Sequence, residues 1–163
     1  MNITEAIEVL DAHISNQSVG LPEDIFQFFS RNTPMVNVDL LIKDENNRTL
    51  LSWRDTQSSG VGWHVPGGII RYKERLEYRI QKVAEIEIGP AIKYDPVPIA
   101  INQVILEQKI RGHFLSLLYK CSLSSNFIPP NKGLSGKEPG FLQWHNSCPD
   151  NLIKVHEMYR KYI

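Results

Sequence analysis

After Val65-Pro66 the chain runs Gly67-Gly68-Ile69-Ile70-Arg71-Tyr72-Lys73-Glu74, and then on to Glu85-Ile86-Glu87-Ile88-Gly89. Two successive glycines mark a tight turn or a close approach of the backbone to something else. Leu76, Ile80, Val83 and Ile86 follow at three- or four-residue spacing, which predicts a helix with one apolar face. Gly89 stands where a C-terminal cap belongs, and Pro90 stops the helix. Glu74 and Glu87 fall off the apolar stripe, near the two ends of the helix. A glycine turn leading into a helix with outward carboxylates can hold a hard cation such as Mg²⁺.

The spacing resembles the signature of the Nudix hydrolases. In that signature a glycine is followed after five residues by Glu, and after seven more by Arg-Glu-aliphatic-any-Glu-Glu-any-Gly. Gly68, Glu74, Glu87 and Gly89 are in register with it. Lys82 stands in the place of the Arg, and Val83 and Ile86 in the places of two carboxylates that typical members use for metal. Their replacement argues against ordinary pyrophosphohydrolase chemistry. The pattern is similar to that of the GDP-mannose mannosyl hydrolase branch, whose box is eroded in the same way and whose members cleave a glycosidic C–O bond. Ser30 to Asp39, Arg54 (fourteen residues before Gly68) and Gly62-Trp63-His64-Val65-Pro66 extend the likeness over about residues 22 to 160.

The resemblance implies an α/β fold, a Nudix-type α/β/α sandwich with a mixed β-sheet, carried by residues 22–163. Residues 1–21 form an added N-terminal helical extension. It also implies roles. Glu87, the Gly67 carbonyl and Glu138 would ligate Mg²⁺, or Mn²⁺ in its place. Arg54 would bind the leaving diphosphate, and Asp39 a sugar hydroxyl. Arg54 and Glu87 would be the catalytic pair, and Glu74 a structural partner for a nearby base. The branch places a His directly after the Glu138 position, where this chain has Pro139, and an Arg at the position of Ile69. His113, His145 and His64 are the remaining candidates for a proton acceptor. The implied substrate is a nucleoside diphosphate sugar such as GDP-mannose or GDP-fucose, and the implied assembly a homodimer. The alternative readings are a non-catalytic nucleotide or nucleotide-sugar binding module and, third, a pyrophosphohydrolase.

Composition narrows the other classes. At 163 residues, with Lys+Arg and Asp+Glu both 18, the chain suits one domain with no bulk field for a nucleic acid or a membrane surface. No apolar run approaches membrane-spanning length, and no basic-then-apolar leader pattern opens the sequence. Two cysteines, Cys121 and Cys148, fit unpaired thiols in a reducing cytosol, so a cytoplasmic location is expected. Zinc spacing, a nucleophile elbow and a P-loop are all missing from the sequence. Trp53, Trp63 and Trp144 are read as core residues.

In chain order, residues 4 to 15 predict a helix capped by Thr4, and Pro22 to Phe29 a second one. Met35 to Ile42 and Thr49 to Trp53 predict a hairpin. Asp55 to Gly62 reads as a mobile loop beside the site. Pro96 to Gln108 and Gly112 to Leu123 predict two strands, Asn126 to Gly140 a long loop, Phe141 to Trp144 a short strand, and Asn151 to Tyr162 a closing amphipathic helix.

Overall fold

The computed structural model describes residues 2–56 and 60–163. Helix α1 (Ile3–His13) opens the chain, followed by a 3-10 turn (Gln17–Val19) and α2 (Glu23–Ser30). Strands β1 (Met35–Lys43), β2 (Thr49–Thr56), β3 (Gly60–His64) and β4 (Gly67–Ile69) lead into α3 (Leu76–Glu87). Then come β5 (Lys93–Tyr94), β6 (Ala100–Ile105), β7 (His113–Ser122), β8 (Leu142–His145) and a closing 3-10 helix (Lys154–Tyr162). Together they form the mixed α/β sandwich read from the sequence.

One mixed sheet carries the chain in the order β3-β2-β1-β7-β5. The parallel pair β1–β7, Met35↔Phe114 to Lys43↔Ser122, needs a crossover, and α3 lies within it. Alternation along β1 sends Val38, Leu40 and Ile42 to one face, against Ile80, Val83 and Ala84 of α3 and its capping residue Ile88. Leu41 faces the other way, where Trp53, Trp63, Val65, Leu118 and Tyr159 form a second core beneath the closing 3-10 helix. Two apolar layers on the two faces are what make this a sandwich.

The edge of β1 is shared. Near its C-terminal end it pairs with β2 at Lys43↔Thr49. Over Asn37, Val38 and Asp39 it pairs with β4 instead. The sheet therefore forks, and β2 with β3 diverges from β4. That fork is where the functional residues collect.

Several elements differ from their sequence reading. Asn2, not Thr4, caps α1, and its side chain and that of Glu5 bond each other's backbone N–H groups reciprocally. No residue of α1 is buried. Within the 55–62 segment read as a loop, Asp55↔Val61 and Thr56↔Gly60 pair between β2 and β3, while residues 57–59 lie outside the described residues. In α3, Ile86 is 70% exposed, because six positions beyond Ile80 lies about 240° round a helix. Ala84 takes its place in the core. Residues 151–153 are not helical, since Trp63 N–H donates to Asn151 O and Ile153 N–H to Trp63 O, both at 2.9 Å. The strand predicted over 96–108 is confined to Ala100–Ile105.

Candidate active site

The glycine turn is built by close approach rather than by dihedral strain. A Cβ at Gly67 would stand 2.0 Å from Asp39 Oδ1 and 2.9 Å from Val38 O, and one at Gly68 2.9 Å from Val83 Cγ2. Only hydrogen fits at either position without moving β1 or α3. Leu40 N–H donates to Pro66 O (2.8 Å) and Ile70 N–H to Val36 O (2.9 Å). In such an antiparallel ladder the intervening Gly67, opposite Asp39, points its own amide and carbonyl away from β1. The amide reaches Glu87 Oε1 at 3.3 Å. The Gly67 carbonyl therefore lies on the Glu87 side of β4, as the ligand reading requires.

Glu87 sits at the last turn of α3. Its Oε2 lies 3.4 Å from His64 Nε2. Burial holds His64 below its ordinary pKa, opposed by Glu87, so the ring is neutral at pH 7. Val83 is buried against Gly68 and Ile86 is turned to solvent, so in this last turn α3 presents the single carboxylate of Glu87 to the glycine turn. Glu74 has a different role. Both its oxygens accept from Arg79 (2.8 and 2.7 Å), and Arg71 N–H adds a third bond at 2.9 Å. Both side chains of this pair are 7% exposed. It anchors the turn before α3, matching the structural role read for Glu74.

Glu138 is exposed, and its carboxylate accepts the Ser135 N–H within its own loop. Among the described residues no group of three His, Cys, Asp or Glu is gathered that could hold a metal ion. The hard donors at the turn are thus Glu87 and the Gly67 carbonyl. That set fits a Mg²⁺ that keeps several waters and takes substrate phosphate oxygens, since Mg²⁺ needs only one or two carboxylates from protein.

Asp39 lies mid-strand, 2% exposed, and does not close a turn. Its Oδ2 accepts hydrogen bonds from Ser116 Oγ and from the Tyr159 hydroxyl, the latter at 2.7 Å. Burial drives its pKa up to about 6, while Ser116 and Tyr159 pull it down. Arg54 is half-buried on β2. Burial lowers its pKa; Glu87 and Asp39 oppose this and Arg111 adds to it. A guanidinium keeps its charge in any protein setting, so Arg54 is a desolvated cation.

Arg54 shares a cleft with Asn37, Arg111, His113 and His156. Arg111 and His156 escaped the sequence reading. Arg111 sits in the β6–β7 connection at φ 56°, its guanidinium 5.7 Å over the Phe26 ring. Nothing local marks it. His156 lies three residues before Tyr159 on the buried side of the closing helix, and that spacing was the available signal. Val65 N–H donates to its Nδ1 at 3.0 Å, so the proton of the neutral ring sits on Nε2. Burial, then His64 and Arg54, holds its pKa well below the ordinary value. His156 is thus a neutral hydrogen-bond donor. Of the three histidines considered from sequence, His113 lines the cleft, with Nε2 3.0 Å from Gln103 Nε2. His64 lies beside Glu87, its Nε2 3.4 Å from Oε2, and His145 packs its ring edge against Trp63, 4.5 Å between centroids. Trp53 and Trp63 are core, as read.

The cleft can bind a polyanion. Two guanidiniums from separate elements and the neutral donor of His156 meet beside a carboxylate and a carbonyl suited to Mg²⁺.

No protein-family model matches the chain. It is similar to the low-salt glycan biosynthesis protein Agl8 of Haloferax volcanii, with 35% identity over 70% of this chain and 83% of that protein. Among solved structures it superposes on a MutT Nudix hydrolase from Burkholderia pseudomallei, TM-score 0.60 at 20% identity, covering 80% of this chain and 98% of the other. A Nudix-family hydrolase from Clostridium perfringens gives TM-score 0.57 at 15% identity, covering 80% and 96%. The chain therefore belongs to the family of the Haloferax glycan-biosynthesis protein and has the fold of the Nudix hydrolases.

Proposed function

We propose that this chain hydrolyses a nucleoside diphosphate sugar, of the GDP-mannose kind, at the glycosidic C–O bond, in a Mg²⁺-dependent reaction. The observation that carries this reading is the pairing of Arg54 and Arg111 across one cleft, next to a glycine turn with a single carboxylate, Glu87. A cleft so arranged favours a diphosphate leaving group. Negative charge grows on that group as the C–O bond breaks, and positioned cations, Arg54 partly desolvated among them, stabilise it more in the transition state than in the ground state. Mg²⁺, when bound by Glu87 and the Gly67 carbonyl, would supply further charge neutralisation to the same oxygens. Arg54 binds and orients the diphosphate, and His156 donates Nε2–H to one of its oxygens. Pyrophosphohydrolase chemistry is disfavoured, because Val83 and Ile86 hold the places of two metal carboxylates. The kinship with a glycan-biosynthesis protein supports a sugar-bearing substrate.

A binding module is favoured by one observation. The Glu138 carboxylate is engaged by the Ser135 N–H and is followed by Pro139, so the loop carries no His at the position where the resembling branch has its base. Turnover of GDP-, UDP- and ADP-sugars with Mg²⁺, run beside Glu87→Gln, separates the readings. Free sugar and nucleoside diphosphate, lost in the variant, support the hydrolase. Binding by calorimetry without turnover supports the module.

A further inference from the structure

A second, wider depression borders the cleft. It is a groove of about 810 Å³ between the N-terminal segment and the turn that joins β4 to α3. Val19, Phe26 and Phe29 form one wall and Ile69 and Tyr72 the other. Phe29 is 38% and Tyr72 62% exposed, so flat apolar surface is presented rather than buried. The groove and the cleft share Met35, Ile69 and Arg111. Arg111 thus stands at their junction, its guanidinium over the Phe26 ring on the groove side and its field felt by Arg54 on the other.

The N-terminal segment is fastened in place. Arg71 Nη1 donates to Ser18 O at 2.7 Å, and its guanidinium packs against Gly20, where φ is 110°. This clasp holds residues 17–20 across the groove from Ile69. The cationic side chains on the β4–α3 side are already engaged, Arg71 with Ser18, Arg79 with Glu74, and Lys73 over one face of the Tyr72 ring at 5.2 Å, which leaves the other face of that ring for a ligand. What is offered is mostly apolar and aromatic, with Asp11, Gln17 and Thr33 also in the lining and Arg111 as the cation shared with the cleft.

We propose that this groove is the subsite for the nucleobase of a nucleoside diphosphate whose phosphates lie against Arg54 and Arg111. The inference rests on reading the Arg54 cleft as a diphosphate site. A base has two apolar π-faces that stack on rings such as Phe29 and Tyr72, and its ribose leads directly to the phosphates. The N-terminal extension, which buries no residue of α1 in a core, thereby gains a function as one wall of a substrate site.

The test is calorimetric titration of the full chain, in Mg²⁺, with GDP, inorganic diphosphate and geranyl diphosphate. GDP is expected to bind about tenfold or more tighter than inorganic diphosphate. Tyr72→Ala combined with Phe29→Ala should remove most of that advantage while leaving inorganic diphosphate affinity unchanged, with a thermal melt confirming the fold. Tyr72→Ala alone, at a highly exposed position, should show part of the same loss. Arg111→Gln should weaken both ligands. Equal affinity for GDP and inorganic diphosphate overturns the nucleobase subsite and leaves the anion cleft standing. So does a GDP advantage that survives both substitutions. Tighter binding of geranyl diphosphate than of GDP would assign the groove to an aliphatic chain instead. Failure of every diphosphate to bind overturns the cleft reading together with this one.

Discussion

At Asp39 a carboxylate is buried mid-strand with a pKa pushed up to about 6 from an ordinary 3.8. The folded state therefore holds this proton more tightly than the unfolded chain does. Stability from this group is fullest below about pH 4 and falls as pH rises through about 6, by about 3 kcal/mol in all. Asp39→Asn keeps an acceptor for Tyr159 and Ser116 but cannot ionise. Its stability relative to wild type should rise between pH 4 and pH 6.5 in urea titrations. A constant difference across that range would show that Asp39 does not titrate there. Glu74 and Arg79 make the opposite case, a buried ion pair with every oxygen of the carboxylate engaged. Glu74→Ala leaves the Arg79 guanidinium buried without its partner and should cost about 3 to 5 kcal/mol by chemical denaturation. Glu87→Gln is different again. Glu87 is partly exposed and its contacts to Gly67 and His64 are long, so the fold should survive while turnover drops about a hundredfold or more. A melting temperature near wild type with activity lost would separate this from a stability effect.

Between residue and element, the glycine turn sets the spacing of β4, β1 and α3. Gly67→Ala should separate β4 from β1 at Asp39, costing stability and activity together, because its Cβ would meet a carboxylate oxygen and a strand carbonyl. Unchanged melting and kinetics in that variant would mean that the turn has more room than the contacts show. The elements themselves were largely readable. Alternation in Met35 to Ile42 and the glycine-helix-glycine frame located β1 and α3, because both periods are local, whereas Gly67–Ile69, read as a turn, pairs with β1 as strand β4. What escaped was non-local. The 55–62 segment looked polar and glycine-rich, yet Gly62 is there because Asn151 O comes within 2.2 Å of where a Cβ would sit. No reading of the hairpin alone can foresee residue 151. The closing segment starts as an extended pairing with Trp63 for the same reason. At the site, Glu87, Gly67, Arg54 and Asp39 were picked out and fall together around the fork in the sheet. Arg111 and His156 were not, since Arg111 reaches the cleft from the β6–β7 connection and His156 from the closing 3-10 helix, whose placements depend on the whole fold. Arg79 carried a faint signal: a charged residue adjoining the apolar stripe of Ile80, Val83 and Ala84.

For the whole molecule, equal numbers of acidic and basic residues leave no net field, so anion attraction must be local. Arg54 and Arg111 concentrate it at one cleft. Removing either should weaken diphosphate binding at any pH between about 6 and 9, since neither guanidinium titrates there. Cys121 contributes nothing to this chemistry. It is buried, with its thiol pushed up to about 12, and thiol reagents should leave activity intact unless they unfold the chain. Among the described residues no helix is long and apolar enough to cross a membrane. On the function proposed above, this Nudix fold, with one carboxylate at its turn and two arginines at its cleft, breaks a C–O bond. Hydrolysis of GDP-mannose in ¹⁸O-water with Mg²⁺, followed by mass analysis of both products, tests it most directly. The account predicts one heavy oxygen in the released sugar and none in the diphosphate. Label in the phosphate would mean attack at phosphorus and would contradict it.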